Sequence, residues 1–413
     1  GPPPRQALAN VGGPVETRGD PAFCVPLRAA LEAAGEAPDL DPRVNLTHGF
    51  HAYPARMHPA IARVLLRELA PGVAPRVLDP FCGSGTVLVE AMLAGWRSLG
   101  SDLDPLALRL ARVKTEIRAR PARERFLDRL EQVAEESTRR VRERVDVRAD
   151  LPAEERRWYE VHTLKELAGL LEVIRAVQDG RDRRALEMVF SAIVVKFSKQ
   201  HADTAPRETD KRIRKGLPTE FFMRKGIELA DRWGALADAL PEHWHAPRLV
   251  LSDARVLPHT LAGEFRCDLL LGSPPYGGTY DYVHHHARRH AWLGIQPKAL
   301  REREIGARRN LSSDRRSGQD REAGPSPRAR WDRELLAVLE SLRELLRPDA
   351  PMVFLIGDAE LGRERVEADR QLERLAETAE LELVAVASQL RNDWRTGVPR
   401  REHLVAMRAR HRG

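Results

Sequence analysis

Residues 273–276, Ser-Pro-Pro-Tyr, have the types and spacing to act on a planar ring that carries an amine. They follow residues 268–271, an apolar run that predicts a buried parallel strand. Enzymes of the α/β class place their chemistry at the carboxyl ends of such strands. Two prolines fix two φ angles and remove two N–H donors, so the turn is rigid and its carbonyls can accept hydrogen bonds. Ser273 adds a hydroxyl and Tyr276 a stacking face, although an ordinary strand end with a packed tyrosine stays open.

A glycine-rich turn is the second candidate site. Residues 76–91 predict a strand, a turn that contains Gly83 and Gly85, and then a helix. Glycines let the backbone approach a ligand closely, and the start of a helix offers it free N–H groups. This order of elements predicts a cofactor site. Its candidate contacts are Asp79, Phe81, Cys82, Gly83, Gly85 and Thr86.

Acidic residues end two further predicted strands. Asp102 lies about 20 positions beyond the glycines, where α/β proteins hold the ribose hydroxyls of a nucleoside. Asp253, followed by Ala254, ends the strand predicted for residues 248–252. Because the turn lacks the full Gly-x-Gly-x-x-Gly spacing, the pattern disfavours a dinucleotide fold.

The motif at residues 79–86, Asp-Pro-Phe-Cys-Gly-Ser-Gly-Thr, followed by Ser-Pro-Pro-Tyr at 273–276, resembles the S-adenosylmethionine-dependent amino-methyltransferases of DNA. The serine form of the second motif is similar to the cytosine-N4 branch. Residues 53–59, which begin with Tyr53 and Pro54, are similar to the segment before the cofactor motif in this family. Asp102 matches the ribose motif, and Asp253 with Ala254 matches the motif whose acid meets the adenine amine. The resemblance covers roughly residues 45–118 and 246–408.

This resemblance implies an α/β fold with a Rossmann-like, seven-stranded class I methyltransferase sheet that ends in an antiparallel hairpin. It implies S-adenosyl-L-methionine as the cofactor and no metal. The activity implied is a site-specific methyl transfer to cytosine N4 in double-stranded DNA, by in-line attack of a base extruded from the duplex. Ser273 and the Pro274 carbonyl would accept hydrogen bonds from the amine, which favours a pyramidal nitrogen. Pro275 would stiffen the turn, and Tyr276 would stack on the base.

Other activities stay open. An RNA base methyltransferase is one, and an adenine-N6 DNA enzyme is another, although most of those carry Asp or Asn where this chain has Ser273. A protein-glutamine methyltransferase and a non-catalytic binding subunit are further alternatives. Carbon-5 cytosine methylation is disfavoured, since it needs a nucleophilic cysteine that typically follows a proline. Cys24, Cys82 and Cys267 follow Phe, Phe and Arg.

Composition is consistent with a nucleic-acid partner. The 413-residue chain has 42% hydrophobic and 31% charged residues and a formal net charge of +7, an excess that suits a polyanion. Three widely spaced cysteines disfavour a disulfide framework, and neither a membrane span nor a signal peptide is expected. A cytoplasmic location is therefore expected. A restriction endonuclease is a partner that the sequence does not test.

Changes in composition suggest four parts. We expect a partly disordered N-terminal arm (1–44, its first 20 residues poorly ordered), a first catalytic part (45–119), a mostly helical insertion (120–245) and a second catalytic part (246–413). Within the last, residues 301–330 are rich in Arg, Ser and Gly and predict a mobile loop.

Basic residues in the insertion and near the C terminus are candidate nucleic-acid contacts. The insertion residues 196–225 exceed the average positive charge of the chain, although a solvated helical face remains the alternative. The candidates are Lys199, Lys211, Arg212, Arg214, Lys215, Arg391 and Arg395. Three adjacent histidines, residues 284–286, invite a metal interpretation. Consecutive residues point in different directions, however, so we expect a helix with a basic side instead.

Overall fold

The structure is a computed structural model that describes most of the chain. The described residues are 13–36, 45–53, 57–72, 74–202, 205–277, 282–296, 298–306, 326–361, 364–392 and 399–410. Pro54 and Arg395 lie outside them, as do residues 307–325 of the predicted mobile loop.

A mixed eight-stranded sheet forms the centre of the fold, with strand order β1-β11-β12-β8-β7-β2-β3-β6. Strands β8, β7, β2, β3 and β6 are parallel, whereas β12, β11 and β1 are joined by antiparallel pairing. The α/β class and the seven-stranded Rossmann-like sheet are confirmed, and β1 adds an eighth strand. The strands are β1 (Glu16–Gly19), β2 (Arg76–Asp79), β3 (Arg97–Asp102), β4 (Gln200–Ala202), β5 (Ala205–Glu208), β6 (Arg248–Leu251), β7 (Leu269–Gly272), β8 (Met352–Gly357), β9 (Ala359–Leu361), β10 (Glu364–Val366), β11 (Leu381–Asn392) and β12 (Pro399–Ala409).

Helices cover both faces of the sheet and build the insertion. They are α1 (Pro21–Glu36), α2 (Pro59–Glu68), α3 (Thr86–Leu93), α4 (Pro105–Lys114), α5 (Arg120–Glu143), α6 (Ala153–Arg156), α7 (Val161–Arg175), α8 (Gly180–Val194), α9 (Leu217–Ala239), α10 (Leu257–Thr260), α11 (Tyr282–Leu293), α12 (Lys298–Arg303), α13 (Pro327–Arg343) and α14 (Ala368–Thr378). Two 3-10 turns span Leu46–Gly49 and Ala254–Val256. No helix among the described residues combines the length and apolar character that a membrane crossing requires.

Strand β7 shows why an apolar run is needed before the Ser-Pro-Pro-Tyr turn. Successive strand residues face opposite sides of a sheet, and here both sides are covered. Leu269 and Leu271 pack with α1 and α2, whereas Leu270 packs with α13 and α14 on the other side. All four residues of β7 are buried. The position of the turn at the end of β7 therefore follows from two-sided burial.

Strand β1 corrects the prediction of poor order for residues 13–20, the part of the first 20 residues that the structure describes. Residues 16–19 pair antiparallel with β11, where Glu16 lies opposite Ser388. Gly19 has a φ of 109°, and a Cβ there would collide with the Val384 carbonyl, so glycine lets the chain turn against β11. The segment lacks apolar residues, and the β11 backbone supplies the partners that order it.

The insertion shares a hydrophobic core with the α/β part. Phe126 of α5, Phe190 of α8 and Trp233 of α9 belong to one buried cluster that also contains Leu110 of α4 and Trp292 of α11. The insertion is mostly helical, as predicted, and the hairpin β4–β5 is an addition that the sequence pattern did not indicate. The insertion therefore packs directly on elements that frame the carboxyl edge of the sheet.

The contact between α5 and α9 yields a stability prediction. A Cβ at Gly226 would clash with the fully buried Leu130, so Gly226→Ala should overpack this contact and cost about 1–3 kcal/mol. Gly234 lies on the same helix, but a Cβ there would meet only the Arg123 guanidinium at 3.4 Å. Gly234→Ala should therefore keep or raise stability through helix propensity. Urea unfolding measures both, and equal stabilities would contradict the predicted clash.

Candidate active site

A cleft with an empty volume of about 880 Å³ lies at the carboxyl ends of β2, β3, β6 and β7. Its lining combines the candidate residues from both predicted sites with others that the sequence did not indicate. The lining residues are Tyr53, Met57, Asp79, Pro80, Phe81, Cys82, Gly83, Ser84, Thr86, Val87, Asp102, Leu103, Asp104, Ser252, Asp253, Ala254, Ser273, Pro275, Leu300, Glu304 and Ile305.

The glycine turn between β2 and α3 has the conformation that its sequence predicts. Gly83 and Gly85 have φ values of 48° and 88°, a region that other residues rarely adopt. A Cβ at Gly83 would lie 3.0 Å from the Tyr53 ring, and one at Gly85 would lie 3.1 Å from Ala111. Gly83 lines the cleft, whereas Gly85, the N-cap of α3, lies behind the lining residues.

Asp102 ends β3 inside the cleft, as the sequence predicts. One of its carboxylate oxygens accepts the Gly83 N–H at 2.9 Å, and the other accepts the Asp104 N–H at 2.9 Å. Burial raises the pKa of Asp102 to about 7, against the opposing effect of these backbone donors. The carboxylate thus joins the glycine turn to the end of β3 and faces the space that a ligand would fill.

Asp79 is a second buried acid in the same cleft. Its carboxylate accepts the Phe81 N–H at 3.1 Å, and only 3% of the residue is exposed. Burial raises the pKa of Asp79 to about 8, and the charge of Asp102 contributes to the rise. Cys82, also buried here, has a pKa raised by burial, which keeps its thiol protonated and unreactive. Two such carboxyls favour a ligand that carries positive charge.

Asp253 and Ala254 also line the cleft, but the Asp253 carboxylate is already engaged. It accepts the backbone N–H of Arg255 at 2.9 Å and pairs with the guanidinium of the same residue at 2.6 Å. The predicted contact with an adenine amine would share this carboxylate with Arg255. The pairing with Arg255 was not visible in the sequence, because it depends on the 3-10 turn that begins at Ala254.

The Ser-Pro-Pro-Tyr turn is divided between the cleft and the sheet behind it. Ser273 and Pro275 line the cleft, whereas Pro274 is buried. The Tyr276 hydroxyl donates to a carboxylate oxygen of Glu402 on β12 at 3.0 Å. Ser273 therefore comes together with Gly83 and Asp102 in one cleft, although 171 residues separate Ser273 from Asp102 along the chain.

Two elements contribute residues that sequence reasoning missed. Leu300 of α12, with Glu304 and Ile305 just after it, closes one side of the cleft. Beneath the glycine turn, the fully buried Lys114 donates to the Ser84 hydroxyl at 2.9 Å and to the His48 carbonyl at 3.3 Å. A lysine at the end of an amphipathic helix gave no sign of burial. An apolar stripe that includes its position could have indicated it.

Helix α11 packs behind the cleft and buries some of the polar side chains that the sequence places on it. His284 is exposed, whereas His286 is buried and lies 4.9 Å, between ring centroids, from Tyr53. The predicted basic side is buried too, since Arg288 lies over the Trp158 ring and Arg289 donates to the Ser191 carbonyl. The predicted helix is therefore present, and its Arg288 and Arg289 side chains are engaged by other parts of the protein.

The candidate nucleic-acid contacts differ in their availability. Arg212 and Lys215 are exposed. Arg214 pairs with Glu220 at 2.6 Å, Lys199 lies 3.6 Å from Glu160, and Lys211 donates to the backbone carbonyls of residues 196 and 200.

At the other end of the chain, Arg391 pairs with Glu402 at 2.9 Å. The guanidinium predicted to meet phosphate is thus held by a carboxylate that also binds the Tyr276 hydroxyl.

The class of domain follows from a family comparison. Residues 50–145, which carry the glycine turn and Asp102, match the family model described as UPF0020, RMKL-like, methyltransferase domain. This part of the chain is therefore similar to a methyltransferase domain, as the motif at residues 79–86 suggested.

Curated proteins match the chain over short stretches. The type II methyltransferase M.MvaI of Kocuria varians is 42% identical over 74 residues, which cover 17% of this chain and 16% of the relative. The tRNA (guanine(10)-N2)-dimethyltransferase of Methanothermobacter thermautotrophicus is 44% identical over 52 residues, 13% of this chain and 16% of the relative. The type II methyltransferase M.MjaII of Methanocaldococcus jannaschii is 35% identical over 74 residues, which cover 18% of this chain and 14% of the relative. The chain thus spans between 14% and 16% of these relatives.

Two solved structures are similar over most of the chain at low scores. TrmN from Thermus thermophilus has a TM-score of 0.35 and 14% identity, with 89% of this chain and 53% of TrmN covered. The rRNA methyltransferase AviRa from Streptomyces viridochromogenes has a TM-score of 0.33 and 16% identity, with 92% of this chain and 96% of AviRa covered. The fold class rests on the strand order of the sheet rather than on these scores.

The raised pKa of Asp79 predicts a pH-dependent stability. Between the ordinary value of 3.8 and the folded value of about 8, the folded chain binds the Asp79 proton more tightly than the unfolded chain. The free energy of unfolding should therefore fall as the pH rises from about 4 to about 8. Asp79→Asn should make this fall shallower, measured by urea unfolding across that range. The matched variant Asp238→Asn, at an exposed position of α9, should keep the wild-type slope, and equal slopes in both variants would contradict the assignment.

Proposed function

We propose that the chain transfers a methyl group from S-adenosyl-L-methionine to the exocyclic amine of a nucleic-acid base, with cytosine N4 in double-stranded DNA as the first candidate. The observation that carries the proposal is the position of Ser273, which lines the same cleft as the glycine turn and Asp102. A cofactor held by the turn and the acid would have its transferable group near a hydroxyl that can accept from an amine. The methyltransferase-domain match over residues 50–145 supports the cofactor.

The residues of the cleft fit this cofactor. Asp102 faces the cleft with a carboxylate suited to ribose hydroxyls, and Gly83 lets the backbone approach the ligand closely. Asp79, whose ionisation is opposed by burial, would gain a favourable partner in the ammonium group of the methionine part. Ala254 and Phe81 would contribute apolar surface to the adenine. Asp253 would accept from its amine beside the Arg255 guanidinium.

The chemistry follows from what these side chains do to the acceptor. When bound, S-adenosyl-L-methionine supplies a methyl group on a positively charged sulfur, which keeps the electron pair of the broken carbon–sulfur bond. The Ser273 hydroxyl and the Pro274 carbonyl would accept the two N–H groups of the amine, so that its lone pair points at the methyl carbon. The nitrogen then releases one proton to solvent. Tyr276 would stack on the extruded base.

RNA is the second candidate substrate. One observation favours it: a relative named as a tRNA (guanine(10)-N2)-dimethyltransferase is 44% identical to this chain over 52 residues. That name also describes methylation of an exocyclic amine, for which the Ser273 turn is equally suited. The two type II methyltransferases among the relatives favour DNA, and a restriction endonuclease partner would belong to that alternative.

Labelled cofactor and a comparison of polymers test the proposal. The protein is incubated with S-adenosyl-L-methionine labelled in the methyl group and with duplex DNA, tRNA, rRNA or a protein mixture. Label recovered as N4-methylcytosine from DNA would support the first candidate, and label in an RNA base amine would support the second. Label on protein alone, or none on any polymer, would overturn the proposal.

Ser273→Ala should separate catalysis from cofactor binding. Loss of one acceptor for the amine should reduce kcat by about a hundredfold, since preorganised polar contacts in a dry site carry such effects. The dissociation constant of the cofactor, measured by calorimetry, should stay near the wild-type value. Ser326→Ala, at the exposed N-cap of α13, is the matched control and should retain full activity. A fully active Ser273→Ala would show that the turn has another role.

The exposed basic residues of the insertion should govern nucleic-acid affinity. Replacing Arg212 and Lys215 together by alanine should weaken binding and reduce the slope of log K against log salt by about 1 to 2, since each phosphate contact contributes about 0.9. The control Arg97→Ala removes an exposed charge at the amino end of β3, the edge opposite to the cleft. Fluorescence anisotropy at several salt concentrations measures both, and equal slopes would assign the contact to another surface.

A further inference from the structure

Tyr276 is held from the antiparallel end of the sheet. Its hydroxyl donates to one oxygen of Glu402 at 3.0 Å, and the other oxygen of Glu402 lies 2.9 Å from the Arg391 guanidinium. Glu402 and Arg391 lie on β12 and β11, near the ends that the hairpin connection joins. The carboxylate is thus fixed by an ion pair on one side and directed at the tyrosine on the other. Both of its side-chain partners are partly buried, which limits screening by solvent.

The tyrosine ring rests on a glycine that faces the same carboxylate. A Cβ at Gly357 of β8 would lie 2.8 Å from the Tyr276 ring, so only glycine leaves room for the ring there. Gly357 is the direct cross-strand partner of Glu402. The ring therefore lies on β8 while its hydroxyl reaches the neighbouring strand, and two strands set its position together.

A buried network stiffens this support. His403, the neighbour of Glu402, lies 2.9 Å from the Asp358 carboxylate and 2.7 Å from the Ser388 hydroxyl. All three residues are buried, and they join β11 and β12 to the residue that follows β8. Satisfied polar networks of this kind resist rearrangement because each member would lose its partner in a dry interior. The frame that carries Glu402 is accordingly rigid.

We propose that Glu402 is a positioning residue, which orients the Tyr276 ring through its hydroxyl and is itself held by Arg391. This inference rests on the proposed function, in which the ring stacks on the target base. It assigns Arg391 to the support of the tyrosine instead of to phosphate. Ser273, the amine-accepting residue of the turn, lines the cleft, whereas Tyr276 is tied to the hairpin β11–β12 through Glu402. The distance between Ser273 and the Tyr276 ring is then set by the pairing of β7, which leads into the turn, with β8, which carries Gly357.

A double-mutant cycle in the intact chain tests whether Glu402 acts through the Tyr276 hydroxyl. Glu402→Ala should lower kcat by about tenfold to a hundredfold, the range expected when a hydrogen bond to a charged acceptor is lost. The cofactor dissociation constant should not change. Glu402→Gln keeps an acceptor for the hydroxyl and should retain most of the activity. In a Tyr276→Phe background, which already lacks the hydroxyl, Glu402→Ala should add no further loss.

The control removes a neighbouring ion pair of the same type. Arg401, adjacent to Glu402 on β12, pairs with Glu16 at 2.9 Å. Glu16→Ala breaks that pair without touching the tyrosine and should leave kcat at the wild-type level. Losses that multiply in the Tyr276→Phe, Glu402→Ala double variant would overturn the proposal, as would a Glu402→Ala enzyme with wild-type kcat.

A measurement without turnover separates this inference from the proposed function. With 3-fluorotyrosine incorporated, the 19F resonance of Tyr276, assigned through its loss in Tyr276→Phe, should shift and broaden in Glu402→Ala but stay in place in Glu16→Ala. A chain with no methyl transfer to any polymer would refute the proposed function, but this resonance would still show whether Glu402 holds Tyr276. An unmoved resonance in Glu402→Ala would refute the positioning role of Glu402 whether or not the chain is active.

Discussion

The carboxylate of Asp102 is the interaction on which the geometry of the cleft depends. It accepts one backbone N–H from the glycine turn after β2 and one from Asp104, the N-cap of α4. One side chain thus fixes two strand ends and a helix start relative to each other. Both bonds are partly buried, and losing the acceptor would leave two backbone N–H groups without this partner. The same side chain lines the cleft, so a change at Asp102 would alter both the backbone support and the surface of the cleft.

Helix α11 transmits the packing of the insertion to this cleft. His290 lies 3.0 Å from the Asp104 carboxylate, and His286 packs against Tyr53, whose ring covers Gly83. Trp292, two residues beyond His290, belongs to the hydrophobic core that the insertion shares. The insertion is therefore connected through α11 to the residues behind the cleft, and its basic face, with Arg212 and Lys215, belongs to the same packed body. A polymer bound to that face would be held at a set distance from the Ser-Pro-Pro-Tyr turn.

The other support of the turn comes from the hairpin β11–β12. A rigid Pro-Pro turn fixes its own backbone, but the tyrosine side chain beyond it still has two free torsions. The contacts with Gly357 and Glu402 restrict them. Strand β7 thus leads into Ser273, whereas β8 and β12 hold the aromatic ring of Tyr276.

Local pattern was enough to determine the elements that carry the motifs. The apolar run of β7, the paired glycines after β2 and the acid that ends β3 each have a short-range physical cause, namely two-sided burial, positive φ and the end of a strand. Because carboxyl ends of parallel strands meet at one edge, their convergence in a single cleft could also be predicted.

Tertiary structure alone determined which charged side chains are paired or buried, and which segments without an apolar pattern form strands. Arg391 near the C terminus, Arg289 on the helix predicted to have a basic side and Lys114 at a helix end gave no sequence signal of a protein partner, yet they are paired or buried. Residues 16–19 became a strand only through the edge of β11. The physical reason is the same in each case: the partner lies far along the chain, as Glu402 lies 126 positions from Tyr276, and no local propensity encodes such a contact.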